Sequence, residues 1–241
     1  MCEQCNRASR LGLSRRGLLG AFSAGALAAT LPGRLSWAAG APPTDAITGD
    51  EALERLMEGN ALYVADKTTV RDFGANRAAH AKSQAPIASI LSCADSRVGP
   101  EFLFNRGPGD LFVVRVAGNV LENDGLASLE YGAQFLHVPL ILVLGHSNCG
   151  AVKAAIDVVD NHATLPGHLP GLIDLIKPAV LEAQKSHPSD LWDAAITENV
   201  RHTVQAVTTA KPVLADLVAG GKVKVVGGVY DIATGRVSLL S

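Results

Sequence analysis

Two short stretches of the sequence carry residue types that a fold alone does not demand. "CADSR" sets Cys93, Asp95 and Arg97 at alternate positions, and "VLGHSNCG" ends an apolar run in His146, with Cys149 three residues later. Together Cys93, His146 and Cys149 offer two thiolates and one imidazole. Such a donor set leaves the fourth tetrahedral position open, as a catalytic zinc site requires, whereas a structural site would want a fourth Cys or His in these motifs. The start of a helix after Cys149 would favour its anionic thiolate. Asp95 and Arg97 are close enough for a bidentate ion pair. Beside a metal ligand, such a carboxylate has a fixed position and a held charge, so it can accept a proton and aim a lone pair, or close onto the metal as a fourth ligand. The competing use of the cysteines is a Cys93–Cys149 disulfide, which would consume both thiols and leave the His146 spacing without a purpose.

These residues need elements to bring them together. Residues 86–93, 111–118, 139–145 and 222–231 are short apolar runs bounded by turn-prone residues and read as buried strands. Helical periodicity marks residues 126–137, 171–185 and 190–217, with Pro212 expected to bend the last. Thr48 and Glu51 form a capping box ahead of Leu53, Leu56, Met57 and Tyr63 at helical spacing. Near-continuous apolar strands alternating with helices predict an α/β fold, a parallel central sheet of about four strands covered by helices, with an N-terminal helical arm. Ligands of open α/β sheets sit at the carboxyl ends of strands where the strand order reverses. Cys93 ends the first strand and His146 follows the third, so they converge if the second and third strands flank the first.

The chain has 241 residues, 48% of them hydrophobic, enough for one domain with an ordinary core. A net charge of −2 with interspersed signs excludes a basic face for nucleic acid. Arg15-Arg16, the uncharged run that follows and Ser36-Trp37-Ala38 read as a twin-arginine export signal with cleavage after Ala38. The expected division is residues 1–38 signal, 39–47 tether and 48–241 zinc domain, exported to the periplasm or otherwise out of the cytoplasm and free of the membrane once cleaved. Cys2 and Cys5 would leave with the signal.

"CADSRVGPE", "GDLFVVRVAGN" and "VLGHSNCGAV" together resemble the β-class carbonic anhydrases, and "EALERLMEGN" and "VVGGVYDIATGRV" extend the likeness from about Asp50 to Val237. The resemblance implies one zinc per chain on Cys93, His146 and Cys149, with Asp95 and Arg97 as the dyad that gates and orients the fourth ligand. It also implies substrate contacts from Gln84, Phe112 and the backbone of Gly150. Plant-type members have a tyrosine near the segment "ENDGLASLEYG", where this chain has none before Tyr131. The implied activity is that of a lyase, the reversible hydration of carbon dioxide to bicarbonate and a proton. The alternatives are hydrolysis of carbonyl sulfide or carbon disulfide at the same site, or a non-catalytic zinc- or bicarbonate-binding protein. The likeness further implies a homodimer or higher homo-oligomer, with the helix around residues 53–63 lying across a partner.

Overall fold

In the computed structural model, which describes residues 47–69, 71, 74 and 77–240, the first helix starts at the expected cap. The Thr48 hydroxyl accepts the Glu51 N–H at 3.2 Å, and the Glu51 carboxylate accepts the Thr48 N–H at 2.7 Å, opening α1 (Gly49–Val64). Ala52, Leu56, Gly59 and Asn60 form its buried face, three and four residues apart. A Cβ on Gly59 would lie 1.9 Å from the Phe104 carbonyl oxygen, so only glycine lets α1 lie this close to the turn after α3 (Pro100–Leu103). The expected signal and nearly all of the tether fall outside the described residues.

After the short α2 (Arg77–His80), the strands β1 (Ala88–Ser92), β2 (Leu111–Arg115), β3 (Leu140–His146), β4 (Lys224–Tyr230) and β5 (Val237–Leu239) form a single sheet in the order β2-β1-β3-β4-β5. All pairings are parallel except β4 with β5. β1 and β3 are buried along their whole length, whereas β2 is half-buried at the sheet edge. Alternate residues serve opposite faces, as a pleated strand requires. Ile90, Leu140, Leu142 and Leu144 pack toward α1, while Leu91, Ile141 and Val143 pack against α4 (Asn123–Phe135), α7 (Leu191–Thr209) and α8 (Leu214–Ala219). Beyond the carboxyl ends of the strands, α5 (Gly150–Asn161) and α6 (Leu169–Lys185) join α7 in a further apolar cluster that includes Cys93 and Cys149. No helix among the described residues is long and apolar enough to cross a membrane.

Three expectations are refined. The second strand stops at Arg115 because the chain enters a tight helical turn, Ala117–Asn119, with Gly118 at φ 74. The long helix expected over 190–217 is broken rather than bent, since Pro212 cannot donate into it, and α8 begins afresh. The fifth strand is three residues long, too short to show a period in sequence.

One buried polar side chain ties the fold's two ends together. Asn60, 3% exposed on α1, donates to the carbonyls of Leu103 (3.1 Å) and Gly235 (2.9 Å) and accepts the Val237 N–H (2.9 Å). Asn60→Ala strands the Val237 N–H and the carbonyls without partners. It should lower the unfolding free energy by roughly 3 kcal/mol, read as a fall in the urea midpoint at unchanged m-value. A variant within 0.5 kcal/mol of the parent, about the scatter of surface substitutions, would show that the network contributes little.

Candidate metal centre

Strand order decides which residues meet. Because β1 lies between β2 and β3, the chain order reverses across it, and the crevice of such a reversal opens at the strands' carboxyl ends. Cys93 directly follows β1, and His146 is the last residue of β3. The turn "HSNC" then carries the chain from strand to helix. The Ser147 N–H donates to the Tyr230 carbonyl (2.8 Å), and its hydroxyl accepts the Ile232 N–H (3.0 Å), fixing the turn to the end of β4. Asn148 takes the left-handed conformation (φ 58), and Cys149 is the N-cap of α5. As a result the donor atoms of Cys93, His146 and Cys149 lie within 4.8 Å of one another, all in buried residues. Cys93 and Cys149 are free thiols rather than a disulfide.

The donor chemistry fits a divalent, sulfur-tolerant metal. His146 Nδ1 lies 2.9 Å from the Ser147 carbonyl oxygen, and since a carbonyl only accepts, the ring proton belongs on Nδ1. Nε2 therefore offers its lone pair toward the sulfurs, buried and with no hydrogen-bond partner. Metal-ligating histidines are held by such a bond from the other ring nitrogen. Cys93 Sγ accepts the N–H groups of Gly118 (3.2 Å) and Asp95 (3.4 Å). The neighbouring Cys149 thiol, then His146 and these two N–H groups, push the Cys93 pKa down to about 4 against the effect of burial. Cys149 is pushed up, first by its hydrogen bond to the Cys93 sulfur, which holds its proton, and then by burial. Burial disfavours a charge on His146, but the Cys93 sulfur, the Ser147 carbonyl and Asp95 together outweigh that and raise its pKa. Two adjacent thiolates in a buried site repel, and a bound cation is what lets both ionise at once.

Asp95 stands at the rim of this cluster, with Oδ2 3.9 Å from His146 Nε2. Arg97 grips both carboxylate oxygens, Nη2 to Oδ2 at 2.7 Å and Nε to Oδ1 at 2.9 Å, and its own N–H also reaches Oδ1 at 2.9 Å. The guanidinium holds the carboxyl well below the usual carboxylate range, overcoming the opposing effect of burial. Arg97 also reaches the Asn148 carbonyl at 3.5 Å, which links the dyad to the "HSNC" turn. Sequence reasoning missed Arg115, which donates to the carbonyls of Cys93 (3.0 Å) and Asp95 (2.6 Å) and pins the loop carrying both. Its only signal is the β1–β2 register, Ser92 opposite Arg115, which is set by pairing and not by local pattern. The Gly118 N–H, 25 residues from its sulfur acceptor, was equally hidden.

The expected substrate contacts divide. Gly150 opens α5 next to Cys149, and nothing lies within 4 Å of the place a Cβ would take, so its backbone faces open space. Gln84 is exposed ahead of the amino end of β1. At about 3.3 Å per residue, roughly 13 Å of strand separates that end from Ser92 and the metal cluster. Phe112 pairs with Ser89 near the same end, with its ring stacked at 6.2 Å from Tyr131 and close to Gly132. A single chain therefore brings neither Gln84 nor Phe112 to its own cluster.

Comparison with known proteins agrees with this geometry. The family model described as carbonic anhydrase matches residues 88–237. The chain is 38% identical over 191 residues to the carbonic anhydrase of Mycolicibacterium smegmatis, covering 79% of this chain and 92% of that one. Among solved structures, the Coccomyxa β-carbonic anhydrase in complex with acetazolamide aligns with a TM-score of 0.61 at 31% identity, over 79% of this chain and 82% of that one. A tetrameric β-carbonic anhydrase of Sordaria macrospora shares the fold with a TM-score of 0.62 at 23% identity, over 80% of this chain and 98% of that one.

Zinc is the metal this donor set suits, at about one ion per chain. Elemental analysis of the purified protein should return that ratio, and Cys93→Ala or His146→Ala should each reduce it to near zero. Full occupancy in either variant would rule out the cluster as the binding site.

Proposed function

The chain belongs to the carbonic anhydrase family, in its β class, and we propose that it hydrates carbon dioxide reversibly to bicarbonate and a proton on zinc held by Cys93, His146 and Cys149. The observation that carries this reading is the meeting of an orphaned imidazole nitrogen and two sulfurs with a fixed carboxylate 3.9 Å away. Zinc in such a set supplies a Lewis acid that brings the pKa of water toward neutrality.

The chain's own residues do the rest. Arg97 keeps Asp95 ionised, so Asp95 is an acceptor only, and it can take one hydrogen bond from a protonated oxygen beside the ligand atoms and aim that oxygen's lone pair. Both Asp95 oxygens are already engaged by Arg97, which favours orientation of an incoming oxygen over closure of the carboxylate onto the metal. Carbon dioxide is small and uncharged and offers little binding energy, so positioned charge must supply most of the rate.

The placement of Gln84 and Phe112 supports assembly. For either to touch substrate, it must do so at the site of a second copy, which makes a homodimer or larger homo-oligomer part of the reading. Export through the twin-arginine route is also part of it. That route carries folded proteins, so zinc would occupy the thiolates before they meet an oxidising compartment.

Stopped-flow hydration of carbon dioxide by the zinc-loaded protein tests the reaction. Asp95→Asn should keep its zinc and lose roughly 100-fold or more of the rate. A zinc-loaded parent without turnover at any pH would point instead to a binding protein. Turnover of carbonyl sulfide in place of carbon dioxide would reassign the substrate. Replacing Arg15 and Arg16 by lysine should leave a folded, zinc-bound protein in the cytoplasm, and normal periplasmic levels of that variant would exclude the route.

A further inference from the structure

Helix α7 plays no part in the sequence motifs, yet it touches the backbone beside all three ligands. Asn199 is 2% exposed in the middle of this helix, where an apolar residue would pack at lower cost. Its Nδ2 donates to the Gly118 carbonyl at 2.7 Å, and the N–H of that same Gly118 donates to Cys93 Sγ at 3.2 Å. Gly118 cannot be replaced to achieve this, since its φ is 74 and a Cβ would lie 2.6 Å from Ile176 Cδ1. Seven residues earlier, and so on the same helix face, Trp192 donates its indole N–H to the Cys149 carbonyl at 3.0 Å. That carbonyl also accepts the Lys153 N–H at 3.1 Å, the first bond of α5, so Trp192 fixes the residue at which the helix begins. Next to Asn199 on the helix, Val200 packs against the residue before His146. A Cβ on Gly145 would sit 2.6 Å from Val200 Cγ2, and this glycine is what lets α7 approach β3 so closely.

We propose that Asn199 and Trp192 are positioning residues that set the two sulfur ligands for the metal, Asn199 through Gly118 onto Cys93 and Trp192 through the Cys149 carbonyl. Both act through backbone carbonyls, those of Gly118 and Cys149, and neither belongs to the ligand set. The inference rests on the zinc reading above. It assigns α7 a role that packing alone does not require: holding the sulfurs at the separation and orientation that tetrahedral coordination demands. Loss of such supporting bonds typically weakens metal affinity or activity by roughly 10- to 100-fold.

The test is the rate at which zinc passes to a colorimetric chelator, measured with the full-length protein. It is paired with the sulfur-to-metal charge-transfer bands of the cobalt(II)-substituted form. Trp192→Phe keeps the aromatic packing and removes only the donor, and Asn199→Asp keeps the shape and replaces the donating amide. Each should release zinc roughly 10-fold faster or more and shift the cobalt bands. Val207→Ala, a cavity in the same helix away from the ligands, should lower the urea midpoint while leaving release and spectrum as in the parent. If Asn199→Asp does not fold, Trp192→Phe alone decides. Folded variants with parental release rates and spectra would overturn the proposal, as would an equal acceleration in Val207→Ala. A parent that binds no zinc would instead overturn the metal reading itself.

Discussion

Parallel pairing of β1 with β3 is the constraint on which the rest of the molecule depends. Both strands are buried throughout, and Ser92 stands opposite Leu144, so Cys93 and His146 leave the sheet at nearly the same level. A one-residue slip of β1 against β3 would turn Ile90 toward α4 and α7 and Leu91 toward α1, while β3 kept its faces. The apolar burial that specifies the sheet thereby also specifies the distance between a sulfur and an imidazole. No local interaction at the cluster has to hold that geometry alone.

Against this apolar frame, the cluster is locally unfavourable. Two thiols and a partnerless imidazole nitrogen are buried together, and ionisation of Cys93, eased by the Cys149 thiol, makes ionisation of Cys149 harder. Functional sites are where folds break their own packing rules, and the cost is carried by the surrounding structure. Here the carriers are identifiable. They are the N–H groups of Gly118 and Asp95 on Cys93, the Ser147 carbonyl on His146, and the contact of α7 with the turn around Cys149. Arg97 and Arg115 add positive charge and hold the loop that carries Asp95.

The two ends of the sheet do different work. At the carboxyl end, polar groups converge on a small volume beside α5 and α7. At the far edge, α1 closes the fold through Asn60, whose amide spans α3 and the start of β5, level with the end of β4. Gln84 and Phe112 lie instead at the amino end of the sheet. Their separation from the cluster within one chain is a direct result of β1 running between them.

Much of this was legible in the amino-acid sequence. The ligand set, the dyad, the capping box at Thr48 and the four longer strands are local patterns, and short-range sterics and periodicity determine local patterns. The three ligands could be placed at strand ends because a strand's end is itself a local event. The sequence could not say that β1 sits between β2 and β3, since strand order is settled by how whole faces bury against one another. Asn199 and Trp192 stayed silent for the same reason. Their partners lie 81 and 43 residues away, and a helix period reveals which face is buried without revealing what it is buried against. Arg115 read as one residue within the strand 111–118 until its register with Ser92 aimed it at two carbonyls. Residue types determined which chemistry this chain can perform, while tertiary packing decided which atoms hold the performers in place, because only the folded chain brings distant backbone groups within hydrogen-bonding range.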